Sequence, residues 1–496
     1  MKNFYFGLGL ACLSACAEEQ IRPAETADAG FTEPSPDASS PADAGFAVDS
    51  GPEDAGATPP PYVPPEVQGV SALTDWNPDP NVVEVWLDAV PFTGTLYEGR
   101  TLRMFGYDEQ VPGPILNAKV GDQVIVHFTN SLSEPTTIHW HGVRVPDTMD
   151  GSPMIQTPIE TAGQFTYSFV VRDPGTFWYH PHVRANEQVE KGLYGMVVVH
   201  DPADPVLLER AIMLDDVLVN ETGREPFLTG HMEVMHGRTG NLLLTNGRAE
   251  LPKVSVAKGD VERWRIVNTA NARTMQLTVT GASWRVVGTD GGHVAPFKPD
   301  VILLPVGQRY DLEVKYDQAG TAELVSHVLT QDASGNLVTE PIAVFQAEVA
   351  DSDRTPAEIA WPTVERPERA PDQTVTLEFA AESDPQTGLR WMINGSSHHH
   401  EPLFTFQEGQ TVRMKLRNLA GPEHPFHLHG QFFDIVDDGR SFTHQPGLKD
   451  VVLVPGGEAL DIIAYLDNPG RWMAHCHILE HAEVGMMTEF MVEPTP

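Results

Sequence analysis

One sequence unit occurs three times along the 496-residue chain, and this repeat constrains the fold more than any other feature. Each copy contains a glycine followed nine residues later by an asparagine, and a second glycine lies 54, 61 and 61 residues after the first. The three sets are Gly121, Asn130 and Gly175; Gly259, Asn268 and Gly320; and Gly409, Asn418 and Gly470. Internal self-similarity of this kind indicates one structural unit used repeatedly.

The runs around these markers are short, rich in Val, Ile, Phe and Thr, and separated by Gly, Pro and Asn. Segments such as 123–130 and 164–171 alternate in the way expected of strands that are buried on one face. Many short strands with turn signals predict an all-β chain built of β-sandwiches. The length exceeds what one hydrophobic core supports, so we predict three domains, at 68–201, 202–355 and 365–496.

The N-terminus has the features of an export signal. Lys2 precedes a short apolar run, which ends in Leu13-Ser14-Ala15-Cys16. Residues 1–16 are predicted to be a lipoprotein-type signal with Cys16 as the lipidation site, and an ordinary secretory signal is the alternative. In either case we expect an exported protein. The lipoprotein-type signal further predicts lipid anchoring in the bacterial cell envelope, on the periplasmic side or at the cell surface.

Residues 17–67 are rich in Pro, Ala and Asp and poor in large apolar side chains, so we predict a disordered linker. The chain as a whole carries a formal net charge of −37. This charge argues against a nucleic-acid partner, because phosphate binding requires a basic surface. It is compatible with the attraction of cations.

The cysteine outside the first 16 residues, Cys476, lies among potential metal ligands. His475 and His477 flank it, His481 follows five residues later and Met486 ten residues later. One Cys and two His with a weak axial Met form the ligand set of a blue-copper electron-transfer site. In a strand, Cys476 would face one side and its two neighbours the other, so one segment could serve two metal centres.

The second repeat has none of the chain's five His-X-His pairs; one, 398/400, stands at the entrance to the third repeat, and the other four lie in the first and third repeats. They are 139/141, 180/182, 427/429 and 475/477. The two members of such a pair face the same side of a strand, so eight imidazoles could line one cavity. His424 and His481 would then remain as partners for Cys476.

These motifs, in this order, resemble those of the multicopper oxidases, the three-domain laccase-like family. The resemblance covers about residues 68–496 and includes Pro112-Gly113-Pro114, Asp150-Gly151 and the stretch from Asp467 to Gly470. It implies three consecutive cupredoxin-like Greek-key domains, with a copper cluster shared by the first and third and a structural role for the second. It also implies four copper ions as cofactors: one type 1, one type 2 and two type 3.

The resemblance implies a ligand set for each copper. The type 1 ligands would be His424, Cys476, His481 and Met486. The type 2 ligands would be His139 and His427. The type 3 ligands would be His141, His180 and His477 at one copper and His182, His429 and His475 at the other.

The implied reaction couples one-electron oxidation of a donor to the four-electron reduction of O2 to water. Electrons would pass from Cys476 through His475 and His477. Phenols, aromatic amines, Cu(I) and Fe(II) are the candidate donors, with a metallo-oxidase of copper or iron homeostasis as the alternative to a laccase. A copper-free envelope scaffold is a further alternative, although all the ligand positions are filled. We expect a monomer.

Asp150 corresponds to an acidic position near the copper cluster in the family, which implies a proton-donor role. Its alternative role is that of a turn residue before Gly151. After His481, where many bacterial relatives carry Glu, this chain has Ala482 and then Glu483.

Other potential metal ligands are assigned to ordinary positions. His398-His399-His400 is interpreted as an exposed loop, and His127, His231, His236, His293 and His327 are left outside the site. No Met-rich insertion precedes the last motif. Met232 and Met235 could bind Cu(I), with loop or core packing as the alternative.

Overall fold

The protein is described here by a computed structural model that covers residues 62–97, 99–221, 223–228, 230–331, 336–362, 369–398 and 401–495. Within these ranges the prediction of an all-β chain is confirmed: six sheets of four or more strands form three sandwiches. The predicted signal, the linker up to residue 61, His399 and His400 lie outside the described residues. No helix in the described ranges is long and apolar enough to cross a membrane.

The first sandwich packs two four-stranded sheets around a core that includes Val126, Tyr167 and Val197. The elements of this part are β1 (Val67–Gln68), β2 (Val82–Tyr97), β3 (Arg100–Tyr107), β4 (Gly113–Lys119), β5 (Gln123–Asn130), β6 (His139–His141), a 3₁₀ helix (Asp147–Met149), β7 (Gln164–Val170), β8 (Gly175–His180), α1 (Ala185–Glu190) and β9 (Gly195–His200). The sheet orders are β3-β2-β5-β7 and β4-β9-β8-β6.

The second sandwich has a core around Trp264, Leu277 and Leu312. Its elements are β10 (Leu208–Val217), β11 (Val219–Asn220), β12 (Gly223–Arg224), α2 (His231–His236), β13 (Leu242–Thr245), β14 (Lys253–Ala257), β15 (Val261–Asn268), β16 (Met275–Thr280), β17 (Ser283–Thr289), β18 (Gly292–Phe297), β19 (Ile302–Leu304), β20 (Arg309–Lys315), β21 (Gly320–Gln331) and β22 (Leu337–Ala350). The sheet orders are β1-β10-β15-β20-β17-β18, with β13 beside β10, and β14-β22-β21-β16-β19. Thus β1 pairs with this sandwich, in parallel with β10.

The third sandwich has a core around Phe379, Leu416 and Trp472. Its elements are β23 (Gln373–Glu382), β24 (Arg390–Ile393), β25 (Pro402–Gln407), β26 (Thr411–Asn418), β27 (His424–Leu428), β28 (Phe432–Ile435), β29 (Val451–Val454), β30 (Ala459–Tyr465), β31 (Gly470–Cys476), α3 (Leu479–Glu483) and β32 (Met487–Glu493). The sheet orders are β24-β23-β26-β30-β28 and β25-β32-β31-β27-β29.

The repeated Gly and Asn residues have the same role in each sandwich. Gly121, Gly259 and Gly409 have φ of +91°, +94° and +84°, the left-handed region that favours glycine, in the turn before β5, β15 and β26. The buried asparagine at the end of each strand accepts a hydrogen bond from the amide two residues later and donates two to carbonyls. For Asn130 these carbonyls belong to Glu134 and Ile159. The same three bonds recur at Asn268 and Asn418.

Arg309, at the start of β20, links all three sandwiches. Its guanidinium donates to both oxygens of Asp450 in the third sandwich at 2.6 Å and to the Thr176 carbonyl in the first at 3.0 Å. It also donates to the carbonyls of Asp290 and Gly307 in its own sandwich. Both members of the Arg309–Asp450 pair are buried, and the planar fork matches the carboxylate in bidentate fashion.

We predict that Arg309→Met lowers the thermal unfolding midpoint of the copper-free protein strongly. Removing one member of a buried ion pair leaves the other charge uncompensated, which costs about 3–5 kcal/mol. Arg417→Met, which removes a comparable but exposed pair with Glu378, is the matched control and should leave the midpoint nearly unchanged. Equal shifts in the two variants would contradict the role given to Arg309.

Candidate metal centre

The register of two strand pairs places the four predicted histidine pairs in one region. In the first sandwich β6 pairs with β8, so that His139 lies opposite His180. In the third sandwich β27 pairs with β31, so that His427 lies opposite His475. Each His-X-His pair presents both imidazoles on one face of its strand, and the two faces meet between the sandwiches.

Eight imidazoles converge in this region. Ring centroids of facing residues are 3.8 Å apart for His141 and His427 and 3.9 Å for His139 and His429. Two nitrogen pairs approach closely: Nε2 of His429 and Nε2 of His475 at 3.0 Å, and Nδ1 of His141 and Nε2 of His477 at 3.2 Å. Seven of these residues are buried and His182 is partly buried. The structure therefore brings the four predicted histidine pairs together in one buried region.

Hydrogen bonds to oxygen atoms orient most of these rings. His139 donates from Nδ1 to the Asp150 carbonyl at 2.9 Å, and His427 to the Asp450 carbonyl at 2.8 Å. His429 donates from Nδ1 to Oδ2 of Asp150 at 2.9 Å. His180 and His475 use carbonyls of the following residues in the same way. An oxygen partner on one nitrogen fixes the tautomer and leaves the other nitrogen as a lone-pair donor, the usual arrangement of metal-binding histidines.

Several imidazole nitrogens that face the centre of the histidine cluster have no hydrogen-bond partner among the described residues. Nε2 of His139, His180, His182 and His427 are buried without a hydrogen bond in the described structure. Buried polar atoms without partners are rare because each costs free energy. Several neutral imidazole nitrogens facing one space can be satisfied together by metal ions, so the residues present fit a polynuclear metal cluster.

A second group lies on the opposite face of β31. Sγ of Cys476 is 3.5 Å from Nδ1 of His424 and 3.6 Å from Nδ1 of His481, and these two nitrogens are 3.1 Å apart. A point equidistant from the three atoms lies about 2.0 Å from each, close to metal–nitrogen and metal–sulfur bond lengths. Met486 is buried in the same core cluster, and its carbonyl accepts a hydrogen bond from the Cys476 amide. The donor set is that of a blue-copper site.

Trp391 and helix α2 enclose this second group. The Trp391 ring centroid is 4.7 Å from that of His424 and 4.5 Å from that of His481. Its Nε1 donates to the Val234 carbonyl at 2.9 Å, and Nε2 of His481 lies 3.2 Å from the Met235 carbonyl. The side chains of Trp391, His424 and His481 are all buried. The second sandwich therefore covers the outer edge of the cysteine group.

Two buried carboxylates contact the imidazole cluster. Asp150 contacts His429 and His139, with Oδ1 3.2 Å from Nδ1 of His139. Oδ1 of Asp450 lies 3.2 Å from Nε2 of His141, which leaves Nδ1 of that ring facing the cluster. Burial raises the pKa of Asp450 to about 6, although Arg309 acts in the opposite direction.

Burial dominates the titration of the imidazoles, because a desolvated ring disfavours the charged form. It lowers the pKa of His475 to about 4 and that of His424 to about 3. Burial and neighbouring imidazoles lower the pKa well below its usual range for six others: His141, His180, His182, His427, His429 and His477. The rings are therefore neutral, as metal binding requires. Burial also raises the pKa of the Cys476 thiol, which a bound cation would reverse.

Sequence reasoning missed Asp450, Arg309, Trp391 and the Met235 carbonyl. Asp450 is 309 positions from His141, and no local pattern marks such a contact. Ala482 is buried on α3 and supplies no carboxylate. Glu483 is partly buried, with its pKa raised by burial. Among the described residues, the carboxylates within 4 Å of a cluster imidazole are Asp150 and Asp450.

Fold and site together define a β-sandwich protein with a buried cysteine–histidine group beside a histidine cluster. Family models described as multicopper oxidase match residues 93–204, 174–339 and 366–496. The chain is 32% identical to multicopper oxidase MmcO of Mycobacterium tuberculosis, over 77% of this chain and 82% of that protein. The chain belongs to the multicopper oxidase family. It is an oxidoreductase that uses O2, and its cofactor is copper.

Solved structures agree with this assignment. A multi-copper oxidase from Pseudomonas thermotolerans superposes with a TM-score of 0.73 at 31% identity, covering 83% of this chain and 99% of that one. A multicopper oxidase from Campylobacter jejuni, described as a metallo-oxidase, gives a TM-score of 0.76 at 26% identity over 88% of this chain and 97% of its own. The three sandwiches are thus cupredoxin-like, as predicted.

We predict that acid destabilises the copper-free protein between pH 7 and pH 5. The folded pKa values of His475 and His424, about 4 and 3, lie below the ordinary value of 6.5, so the unfolded chain binds more protons in this window. Stability is therefore complete above pH 6.5 and falls as the pH drops, by about 1.4 kcal/mol per pH unit for each extra proton bound. Exposed carboxylates remain largely ionised in this range. The buried Asp450, whose raised pKa of about 6 acts in the opposite direction, is outnumbered by the imidazoles whose pKa is lowered. A urea midpoint that is constant from pH 7 to pH 5 would contradict the assignment of neutral buried rings.

Proposed function

We propose that this chain is a laccase-like oxidase that couples one-electron oxidation of a phenol, an aromatic amine or a metal ion to four-electron reduction of O2 to water. The main support for this proposal is that one segment, at the end of β31, supplies side chains to both groups of candidate ligands. Cys476 belongs to one group, while His475 and His477, its immediate neighbours, belong to the other. A single peptide unit therefore separates a one-electron site from the O2-reducing cluster on each side.

The ligand sets proposed for four copper ions follow the two groups. His424, Cys476 and His481 with Met486 would hold the type 1 copper, and His139 with His427 the type 2 copper. His141, His180 and His477 would hold one type 3 copper, and His182, His429 and His475 the other. Bound copper supplies one-electron redox chemistry and four reducing equivalents in total. Three of the candidate groups whose donor atoms lie within 4.8 Å are consistent with these sets: His424/Cys476/His481, His182/His429/His475 and, in part, His139/His427/His429.

The chain's own groups would supply binding, orientation and protons. The Nδ1 hydrogen bonds hold the cluster rings in the tautomer that presents a lone pair inward. Asp150 contacts two cluster rings, and we assign it the transfer of protons toward reduced oxygen. Asp450, held by Arg309, is the second acidic group at the cluster. Because Ala482 stands where many relatives carry Glu, Asp150 and Asp450 are, among the described residues, the carboxylates that contact the histidine cluster.

The domain boundaries at 68–201, 202–355 and 365–496, the export of the chain and its lipid anchoring at Cys16 remain parts of this proposal. The sheets of the three sandwiches fall within 82–200, 208–350 and 373–493, which supports the boundaries. We also propose a monomer. A copper-free scaffold is disfavoured because every ligand position carries a suitable side chain and the histidine and cysteine donor atoms converge.

We predict that Cys476→Ser abolishes the intense blue thiolate-to-copper absorption and the oxidation of dimethoxyphenol. The side chains are nearly isosteric and Cys476 sits in a preformed core, so circular dichroism should be unchanged. Copper at the histidine cluster should remain detectable by electron paramagnetic resonance. Unchanged turnover in this variant, or a colourless copper-loaded parent protein, would show the proposed function to be wrong.

We predict that Asp150→Asn lowers turnover about a hundredfold or more, the usual contribution of a positioned proton donor, while copper content is kept. The amide oxygen can still accept the hydrogen bond from His429, so ring orientation is preserved and proton transfer is not. Asp300→Asn, at an exposed carboxylate in the second sandwich, is the control. An Asp150→Asn variant that binds the full complement of copper and keeps parental turnover would contradict the proton-transfer role assigned to Asp150.

A further inference from the structure

Two tryptophans stand side by side on the outer surface of the first sandwich. Trp76 and Trp86 have relative exposures of 69% and 53%, whereas the other seven tryptophans of the chain are buried. Their ring centroids are 6.3 Å apart and their ring planes meet at 89°. Single exposed apolar side chains are ordinary, but two large rings in contact form an exposed apolar patch, and such patches mark interaction sites.

Both rings are held in place by contacts with β2 and β5. The Trp76 amide donates to the Glu84 carbonyl at 2.9 Å, and the Asp75 carboxylate accepts from the Glu84 amide at 3.0 Å. Trp86 stacks on His127 with a centroid distance of 4.7 Å, and Nε2 of His127 lies 2.8 Å from the Glu84 carboxylate. The two rings therefore form a preorganised surface, which lowers the entropic cost of binding a ligand.

A groove of about 260 Å³ opens beside the two rings and is lined in part by them. Two of its polar lining residues, Ser71 and Gln110, are hydrogen-bonded to each other at 2.9 and 2.7 Å. Among the described residues, the lining includes one carboxylate, that of Asp108, and no lysine or arginine. The groove thus combines aromatic walls with a negative charge.

Asp108 is one of several carboxylates at this surface. Glu84, Trp86 and Asp88 alternate along β2, so their side chains share its outer face. The Asp88 amide donates to Oδ1 of Asp108 at 2.9 Å. Desolvation raises the pKa of Asp108; this hydrogen bond lowers it, and the charge of Asp88 raises it. Within the described part of the chain, the ion pair at this surface is that of Glu84 with His127. The groove is therefore complementary in charge to a cation.

The walls of the groove favour one kind of cation. The face of a tryptophan ring attracts a cation that lies within about 6 Å of its centroid, and tryptophan does so best among the aromatic side chains. A primary ammonium group brings three N–H donors, each of which costs free energy if it loses its water without gaining an acceptor. A quaternary ammonium group has no N–H donor, so aromatic walls and nearby carboxylates are sufficient to bind it.

We propose that the groove beside Trp76 and Trp86 is a binding site for a soluble trimethylammonium compound of the choline type. The methyl groups would lie against the two rings, and Asp88 and Asp108 would supply the opposing charge. None of the lining residues is a candidate copper ligand, so this site is independent of the proposed oxidase function.

The first test compares choline with 3,3-dimethyl-1-butanol, which has the same shape but no charge. Both are titrated into the copper-loaded full chain at low ionic strength, and binding is measured by calorimetry. Choline should bind, and the neutral analogue should bind about fivefold more weakly or less, since one cation–π contact at an exposed site accounts for about that factor. Equal affinities, or no binding of choline, would overturn the proposal.

The second test uses two variants at the groove. Trp76→Leu keeps an apolar side chain but removes the aromatic face, so the affinity for choline should fall about fivefold. Asp108→Asn keeps an acceptor for the Asp88 amide and suits the left-handed φ of +53° at this position. It should lower the affinity for choline and weaken the dependence of that affinity on salt. Asp300→Asn, at an exposed carboxylate of the second sandwich, is the matched control and should change neither quantity.

Oxidation of dimethoxyphenol should stay at the parental rate in these variants, which also shows that they are folded. Parental affinity for choline in Trp76→Leu would overturn the proposal. If Trp76→Leu does not fold, the comparison of choline with its neutral analogue on the parent protein decides. Phosphatidylcholine vesicles present the same head group on a membrane: co-sedimentation with vesicles without binding of free choline would overturn the proposal in favour of a membrane-binding surface. Binding of free choline that depends on Trp76 supports it, whether or not vesicles bind.

Discussion

Eight imidazoles share one buried space between the first and third sandwiches, and the rest of the site depends on how these rings are kept neutral and oriented. A protonated ring there would lack solvation, and burial accordingly lowers the pKa of nearly all of them. Backbone carbonyls and the carboxylate of Asp150 take one N–H from each of five rings. The cavity is thus lined by lone pairs before any ion is bound, so little reorganisation is needed to form a metal cluster.

The second sandwich contributes to both groups of ligands although it carries no His-X-His pair. Arg309 fixes the carboxylate of Asp450 beside the histidine cluster, and the backbone of α2 covers the outer edge of the cysteine group. The expectation of a purely structural role for this sandwich therefore leaves out its contacts with both groups. Its position sets the surroundings of the ligands, which in metal sites govern access and acidity.

The fold was predictable because its determinants are local and repeated. The repeated glycine lies in a turn with positive φ, and the repeated asparagine has a buried side-chain amide that makes three hydrogen bonds to the backbone. Both features occur in each sandwich. The convergence of the candidate ligands was predictable because strand alternation places Cys476 on one face of β31 and His475 and His477 on the other. Asp450, Arg309 and the α2 contact were not, since they join residues more than 140 positions apart whose neighbours show no distinctive pattern. Only packing of the three sandwiches brings them together.

The pairing of β1 has a mechanical consequence. Its two residues are held to β10 through the register of Val67 with Glu209 and Gln68 with Arg210, and the Arg210 guanidinium also donates a hydrogen bond to the Gln68 side chain. A pull transmitted along the chain from residues before Pro65 is therefore resisted by both sandwiches, because the Pro65 carbonyl also accepts a hydrogen bond at 3.2 Å from the Asn117 side chain on β4 of the first sandwich. The load is thus shared between β10 and β4, and neither of these strands carries a His-X-His pair.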